Sequence, residues 1–361
     1  MIEVEITEVV AGTSPMPSGQ VPATNGTALA PTGTAPLPTG TAPAPTDTVP
    51  PPTATQAPPA ATLVAPTQAV GPLAGRLAFT SNRHGNPEIY VADLGGGTTL
   101  RLTNNPGNEW IADWSPNGAK LAFTSNRLDG NYDIWAMDGS GEGAAPLVTT
   151  GAWDEYARWS PNGQRLAFAS TAQTEGVPNS EIFVRQASGE LQRLTFDRAE
   201  NQWPDWSPDG RIVYNQGTKG TSDWDIWIIN AGGQSPHLWL ADPALDIHPT
   251  WSPDGQWIAF VRVVFDSNGN GSLDEEDAGD VWVGAADGSG VRQLTAGLWA
   301  GTPSWSPDGR WIAFAHSWDS NGDTRMDGRD AANISAVPLE GGEPVTLVSS
   351  PHRDADPSWT R

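Results

Sequence analysis

The sequence contains no cysteine, which excludes disulfides and thiolate metal sites. Bases are scarce: 19 Lys and Arg stand against 42 Asp and Glu, for a net charge of −23. Only Lys120 and Lys219 are lysines. Such an acidic chain repels phosphates, so nucleic acid is excluded as a partner. No apolar run reaches the ~18 residues that a membrane-spanning helix needs. The opening Met1-Ile2-Glu3-Val4-Glu5 lacks the basic region and apolar stretch of a secretory signal. Either the chain is cytoplasmic, or the start lies inside a longer secreted or anchored protein. No Gly-x-Ser-x-Gly elbow, Walker loop or Rossmann fingerprint is present.

What is present is unevenly spread. Glycine (40) and proline (33) are abundant, yet so is tryptophan (18), and aromatics of that number imply a packed core. Residues 1–10 alternate Ile2, Val4 and Ile6 with acids and read as a short extended segment. Residues 11–72 are almost entirely Thr, Pro, Ala, Gly and Ser. They cannot bury enough apolar surface to offset ordering, so a disordered, partly polyproline-like linker is expected.

From residue 73 to 361 the text repeats. Trp-Ser-Pro-Asx-Gly occurs at Trp114–Gly118, Trp159–Gly163, Trp206–Gly210, Trp251–Gly255 and Trp305–Gly309, with a degenerate copy at Pro357-Ser358-Trp359. Successive tryptophans are 45, 47, 45, 54 and 54 residues apart. A period in the forties holding only strand signals is a propeller signature. The motif tryptophan ends a first strand, and Ser-Pro-Asx-Gly turns the chain, with Pro fixing φ and Gly accepting positive φ. A second strand follows, as in Leu121-Ala122-Phe123, then a third, as in Asp133-Ile134-Trp135. The fourth is clearest at Leu194-Thr195 and Leu294-Thr295. Residues 76–103 carry strands two to four without a first, and the C-terminus supplies the missing Trp359 strand. Six four-stranded blades, closed by the last strand joining the first blade, are therefore expected.

These units resemble the TolB-like propeller repeat, over residues 73–361. The resemblance implies an extracytoplasmic fold used for protein docking, for substrate gating in peptidases and, in some members, for catalysis. TolB itself has an additional α/β domain where this chain has its Thr/Pro-rich stretch.

Both 54-residue spacings contain an acidic twelve-residue loop. The first places Asp266, Asn268, Asn270, Ser272, Asp274 and Asp277 at positions 1, 3, 5, 7, 9 and 12, with Gly271 at position 6. The second places Asp319, Asn321, Asp323, Arg325, Asp327 and Asp330 at the same positions, with Thr324 in place of Gly. The pattern resembles the calcium loops of EF-hand and dockerin repeats, where hard oxygens surround one cation about a sharp turn. Up to two structural Ca²⁺ ions are expected.

Five residues before each motif tryptophan stand Glu109, Asp154, Asn201, Asp246, Ala300 and Asp354. Three before it stand Ile111, Tyr156, Trp203, His248, Thr302 and Asp356. If these face the channel, Glu109, Asp154, Asn201, Asp246 and Asp354, with Tyr156, Trp203 and His248 behind them, form an acidic mouth. Such a mouth suits a cation, a basic peptide or a sugar; otherwise the acids brace the blades. His248 and His352 near the mouth raise the alternative of a metal-dependent lyase or other carbohydrate-active propeller. A sensor domain cut from a longer surface protein is a third reading. The reading preferred from sequence is a monomeric, non-enzymatic, extracytoplasmic propeller that binds a protein, a peptide or a carbohydrate.

Overall fold

The computed structural model describes residues 73–172, 179–240, 244–274, 277, 279–322 and 330–360. The expected extended segment 1–10 and linker 11–72 lie outside them. Among the described residues the fold is all-β, in six four-stranded antiparallel sheets. Blade 2, for example, runs Glu109–Trp114, Lys120–Ser125, Asp133–Asp138 and Ala145–Val148 from the axis outward.

Blade 1 is made from both ends of the propeller. The C-terminal strand Asp354–Trp359 pairs antiparallel with Arg76–Ser81, setting Leu77 opposite Trp359 and Ser81 opposite Asp354. The ring therefore closes by hydrogen bonding between strands, which removes an open sheet edge.

The motif turn is built the same way in five blades. The serine hydroxyl donates to the Asx side chain, as from Ser115 to Asn117 at 2.8 Å, and accepts the N–H of Lys120 at 2.9 Å. Gly118 N–H closes the turn on the Ser115 carbonyl. Gly255 sits at φ 70°, and a Cβ there would stand 3.1 Å from Pro208 of the preceding blade's turn. One motif thus makes both the turn and a contact between blades.

The motif tryptophans are packing residues. Trp114, Trp206, Trp251, Trp305 and Trp359 are buried, while Trp159 is half-buried. Guanidinium groups of the preceding blade lie over three of them: Arg76 over Trp114, Arg165 over Trp206 and Arg211 over Trp251, at 4.4 to 4.8 Å. Strand-two aromatics Phe79, Phe123, Phe168, Tyr214, Phe260 and Phe314 are fully enclosed. The core is a chain of clusters, each shared between neighbouring blades.

One strand assignment needs correction. Leu194-Thr195 and Leu294-Thr295 follow the fourth strands, which are Leu191–Arg193 and Arg292–Gln293. Their threonines turn inward: Thr195 Oγ1 accepts the N–H of Ile182 at 2.9 Å, and Thr295 Oγ1 that of Val281 at 2.9 Å. Leu-Thr is a clamp onto strand three, and that bond ends the outer ladder.

Candidate functional site

Each inner strand starts on one face, here called the loop face, and ends at the motif turn on the other. The antiparallel order returns the connections between strands two and three, and those between blades, to the loop face.

The acids expected at the mouth are spent inside the blades. Glu109 is fully buried and accepts from Arg127 at 2.7 Å, Asn105 at 2.7 Å and Ser125 at 3.0 Å. Asp246 takes both arms of Arg262 at 2.8 Å. Asp354 pairs with Arg83 at 2.7 Å and Ser350 at 2.8 Å. Asp154 is held by Thr150 and Ser170. Asn201 bonds Asp197, Glu181 and Gln216. These five do not present a ring of free carboxylates to the channel. They are buried, and a buried charge must be paired, so each is held by groups of the blades.

The residues two positions further on behave differently. Ile111, Tyr156, Trp203, His248, Thr302 and Asp356 all have left-handed backbone, with φ between 41° and 59°. At each, the inner strand carries one residue more than its partner. This is a β-bulge repeated six times among the described residues, and without glycine. Such a conformation costs about 1–2 kcal/mol per non-glycine residue and persists where surrounding contacts fix it. Hydrogen bonds across blades help: Thr80 Oγ1 accepts the N–H of Ile111 at 3.1 Å, and Asn215 Oδ1 that of His248 at 3.3 Å.

Three bulge residues from adjacent blades meet. Tyr156 stacks on Trp203 with ring centroids 4.4 Å apart, and Trp203 lies 4.2 Å from His248 at a 59° tilt. With Gln202, Asn215, Lys219 and Ile247 they line a cavity of about 260 Å³. Burial, with the charge of Arg158, pushes the His248 imidazole down to about 3, so it is neutral in neutral solution. Its Nδ1 is buried with no hydrogen-bond partner among the described residues. The sequence reading found Tyr156, Trp203 and His248. It missed Gln202, Asn215 and Lys219. Asn215 had a visible signal: it is an amide directly after a strand-two aromatic, where three other blades carry Ala169, Val261 and Ala315.

A second cavity of about 230 Å³ lies at the motif end of the inner strands, among Arg158, Asp113, Asp205 and the motif tryptophans Trp206, Trp251, Trp305 and Trp359. Its carboxylates are structural. Asp113 accepts the N–H of Trp159 at 2.8 Å, and Asp205 that of Trp251 at 2.8 Å, each from the next blade.

The acidic loops share a local plan. In the first, Asp266 accepts N–H groups of Gly269, Asn270 and Gly271, at 2.7, 3.2 and 2.8 Å. Asp277 accepts those of Ser267 and Asp274 at 2.8 and 3.1 Å. Asn268 and Asn270 accept N–H groups two residues on, and Asn270 donates to Asp274 at 3.1 Å. Leu273 packs against the cluster of Trp224, Ile247 and Val263. In the second, Asp319 accepts from Gly322 at 2.6 Å and Asp330 from Ser320 at 3.1 Å. Asp323, Arg325 and Asp327 lie outside the described residues. Ser272 donates its backbone N–H to Asn270 at 2.8 Å. Among the described residues, no three His, Cys, Asp or Glu are grouped to hold a metal. His352 is exposed, and His248 is enclosed in the cup two blades away; they share no site.

The architecture is that of a closed six-bladed β-propeller with an aromatic cup on one face. It is similar to TolB-like propellers: the TolB beta propeller domain family matches residues 60–224. A protein TolB homolog of Chlorobium luteolum is 31% identical over 189 residues, 52% of this chain and 32% of that protein. An uncharacterised protein of Agrobacterium fabrum is 35% identical over 136 residues, 35% of this chain and 43% of that one. The matched part thus spans less than half the length of these relatives. TolB from Acinetobacter baumannii superposes with a TM-score of 0.63 at 19% identity, covering 80% of this chain and 67% of that one.

Proposed function

We propose that this chain is a non-enzymatic, extracytoplasmic binding propeller that docks a protein or peptide at its loop face and is stiffened by calcium. The cup carries the reading. It is where the repeat stops repeating, since three adjacent blades put large aromatics at bulges filled elsewhere by Ile111, Thr302 and Asp356. Exposed apolar side chains surround this face: Leu128, Trp153, Phe196, Val264 and Phe265 all stand on its connections. Clustered apolar exposure marks interaction surfaces. The kinship to TolB homologs supports a scaffold role and an extracytoplasmic home. Peptides selected from a displayed library on the folded protein should lose binding to a Trp153→Glu, Phe196→Glu variant of unchanged melting temperature. Selected peptides that all still bind this variant would overturn the reading.

Calcium is the expected resident of residues 266–277 and 319–330. In both loops the first and last aspartates already organise the backbone, and the oxygens of the first loop are drawn from positions 1, 3, 5, 9 and 12. An ion that binds only the folded loop raises stability by about 2.7 kcal/mol per site at a hundredfold excess over Kd. Millimolar Ca²⁺ should raise the Tm and EDTA lower it, with Asp266→Ala abolishing most of the effect of the first loop. Calorimetric titration of metal-free protein showing no heat at millimolar Ca²⁺ would return both loops to ordinary acidic surface.

A further inference from the structure

The cup's lining offers hydrogen-bond donors and one positive charge, in a chain of net charge −23. Lys219, one of two lysines in the chain, stands on its rim with the amides of Gln202 and Asn215. Asn215 has already committed its oxygen to the N–H of His248, which leaves its N–H₂ to donate. His248 adds a buried ring nitrogen that nothing in the described chain satisfies. Buried polar atoms are nearly always paired, so an unpaired one on a residue that lines a cavity asks for a guest. The wall opposite is apolar: Tyr156, Trp203 and Ile247.

We propose that the cup binds a carboxylate carried on an apolar body, with the charge at Lys219 and the body against Trp203. This rests on the loop face being the docking face. The ammonium and the amides supply donors in the number a carboxylate accepts. Lys219 has a counter-charge in Glu155. Burial holds that carboxyl up at about 7, with the neighbouring Asp154 and Glu200 adding to the rise and Lys219 opposing it. In neutral solution Glu155 is therefore only partly charged and leaves Lys219 open to a second anion. A carboxylate of this kind comes either from the C-terminus of a peptide or from a free organic acid.

The test uses the full chain, with intrinsic tryptophan fluorescence and calorimetry as readouts. The probes are a capped alanine-alanine-leucine tripeptide with a free C-terminal carboxylate, the same peptide as its amide, and benzoate. The free acid should bind at least tenfold more tightly than the amide. Lys219→Ala should erase that preference with no change in Tm, because Lys219 is exposed on a connection, and Lys219→Arg should keep most of it. Benzoate binding with no peptide binding assigns the cup to free organic acids and supports the proposal. Equal affinity for acid and amide, a preference that survives Lys219→Ala, or no binding of any probe at millimolar concentration would each overturn it. Failure here leaves the loop-face reading intact if library-selected peptides still depend on Trp153 and Phe196.

Discussion

Two positions on the same strand, two residues apart, have opposite fates. Glu109, Asp154, Asn201, Asp246 and Asp354 stand first or second in the inner strands of five blades. They differ in type, yet each is buried and held by its surroundings. Ile111, Tyr156, Trp203, His248, Thr302 and Asp356 share one backbone geometry but no chemistry. The first set ties each inner strand to its own blade or, at Asn201, to the preceding one, so its chemistry is constrained to acid or amide almost everywhere. The second set is fixed at its backbone, as where Ile111 and His248 donate their N–H groups across blades, so its side chains are free to differ, and in three neighbouring blades they build a cup. In a repeat protein, uniform chemistry marks scaffolding, and uniform geometry with varied chemistry marks the place where function is written.

The comparison assumes that the ring is closed, and opening it should have the largest effect. Deleting residues 355–361 removes the strand paired to Arg76–Ser81 and the buried Trp359. Loss of one such aromatic costs roughly 3 kcal/mol or more, against a usual total of about 5–15 kcal/mol. The truncated chain should aggregate or melt far lower; an unchanged melting curve would refute closure.

Next comes the brace. Asp246→Ala leaves Arg262 without its carboxylate, in a site where its side chain is only 11% exposed. Breaking a buried pair costs about 3–5 kcal/mol, readable as a fall in the urea midpoint. A change below about 1 kcal/mol would mean that these acids are not structural and would reopen the mouth as a charged site.

The bulge should respond weakly. Thr302→Gly relieves a left-handed φ of 41°, about 1–2 kcal/mol, which equals or exceeds glycine's entropic cost of about 0.5–1 kcal/mol. Its stability should move by less than about 1 kcal/mol. Thr250→Gly, on the neighbouring inner strand, loses the 2.9 Å bond to Asp205 with no strain to relieve, and should cost more. Equal losses at the two would remove the distinction between the positions.

The last effect is tied to pH. Burial lifts the Glu155 carboxyl from its ordinary 4.5 to about 7 in the folded protein. The folded state therefore keeps a proton that the unfolded chain has released, and stability falls as pH rises between those values. Glu155→Gln should be more stable than the parent at about pH 8 and indistinguishable at about pH 4, by denaturant midpoint. The same difference at both values would show that the carboxyl is not held up by burial.

Much of this architecture was legible in the sequence, and for a local reason. The motif turn closes on itself within five residues through Ser115, Asn117 and Gly118 and their counterparts, so the motif announces both the turn and the blade. The Trp359 strand at one end and the unpartnered Arg76–Ser81 segment at the other announced closure. The Leu-Thr pairs misled because strand composition continues one step beyond the ladder, where the threonine hydroxyl takes over the backbone bond.

What only the tertiary structure decided is which groups face one another across blades. Glu109 read as a channel ligand or as a brace, and what the sequence could not show is the approach of Arg127 from the connection that follows strand two. Tyr156, Trp203 and His248 recur at intervals of 47 and 45 residues, too distant for any local pattern to join them. Ring closure brings them within 4.4 Å of one another in turn and sets Lys219 on the rim of the same cavity. The sequence determined the blade, because its hydrogen bonds are made between near neighbours in the chain; the cup exists only where three blades converge on the axis.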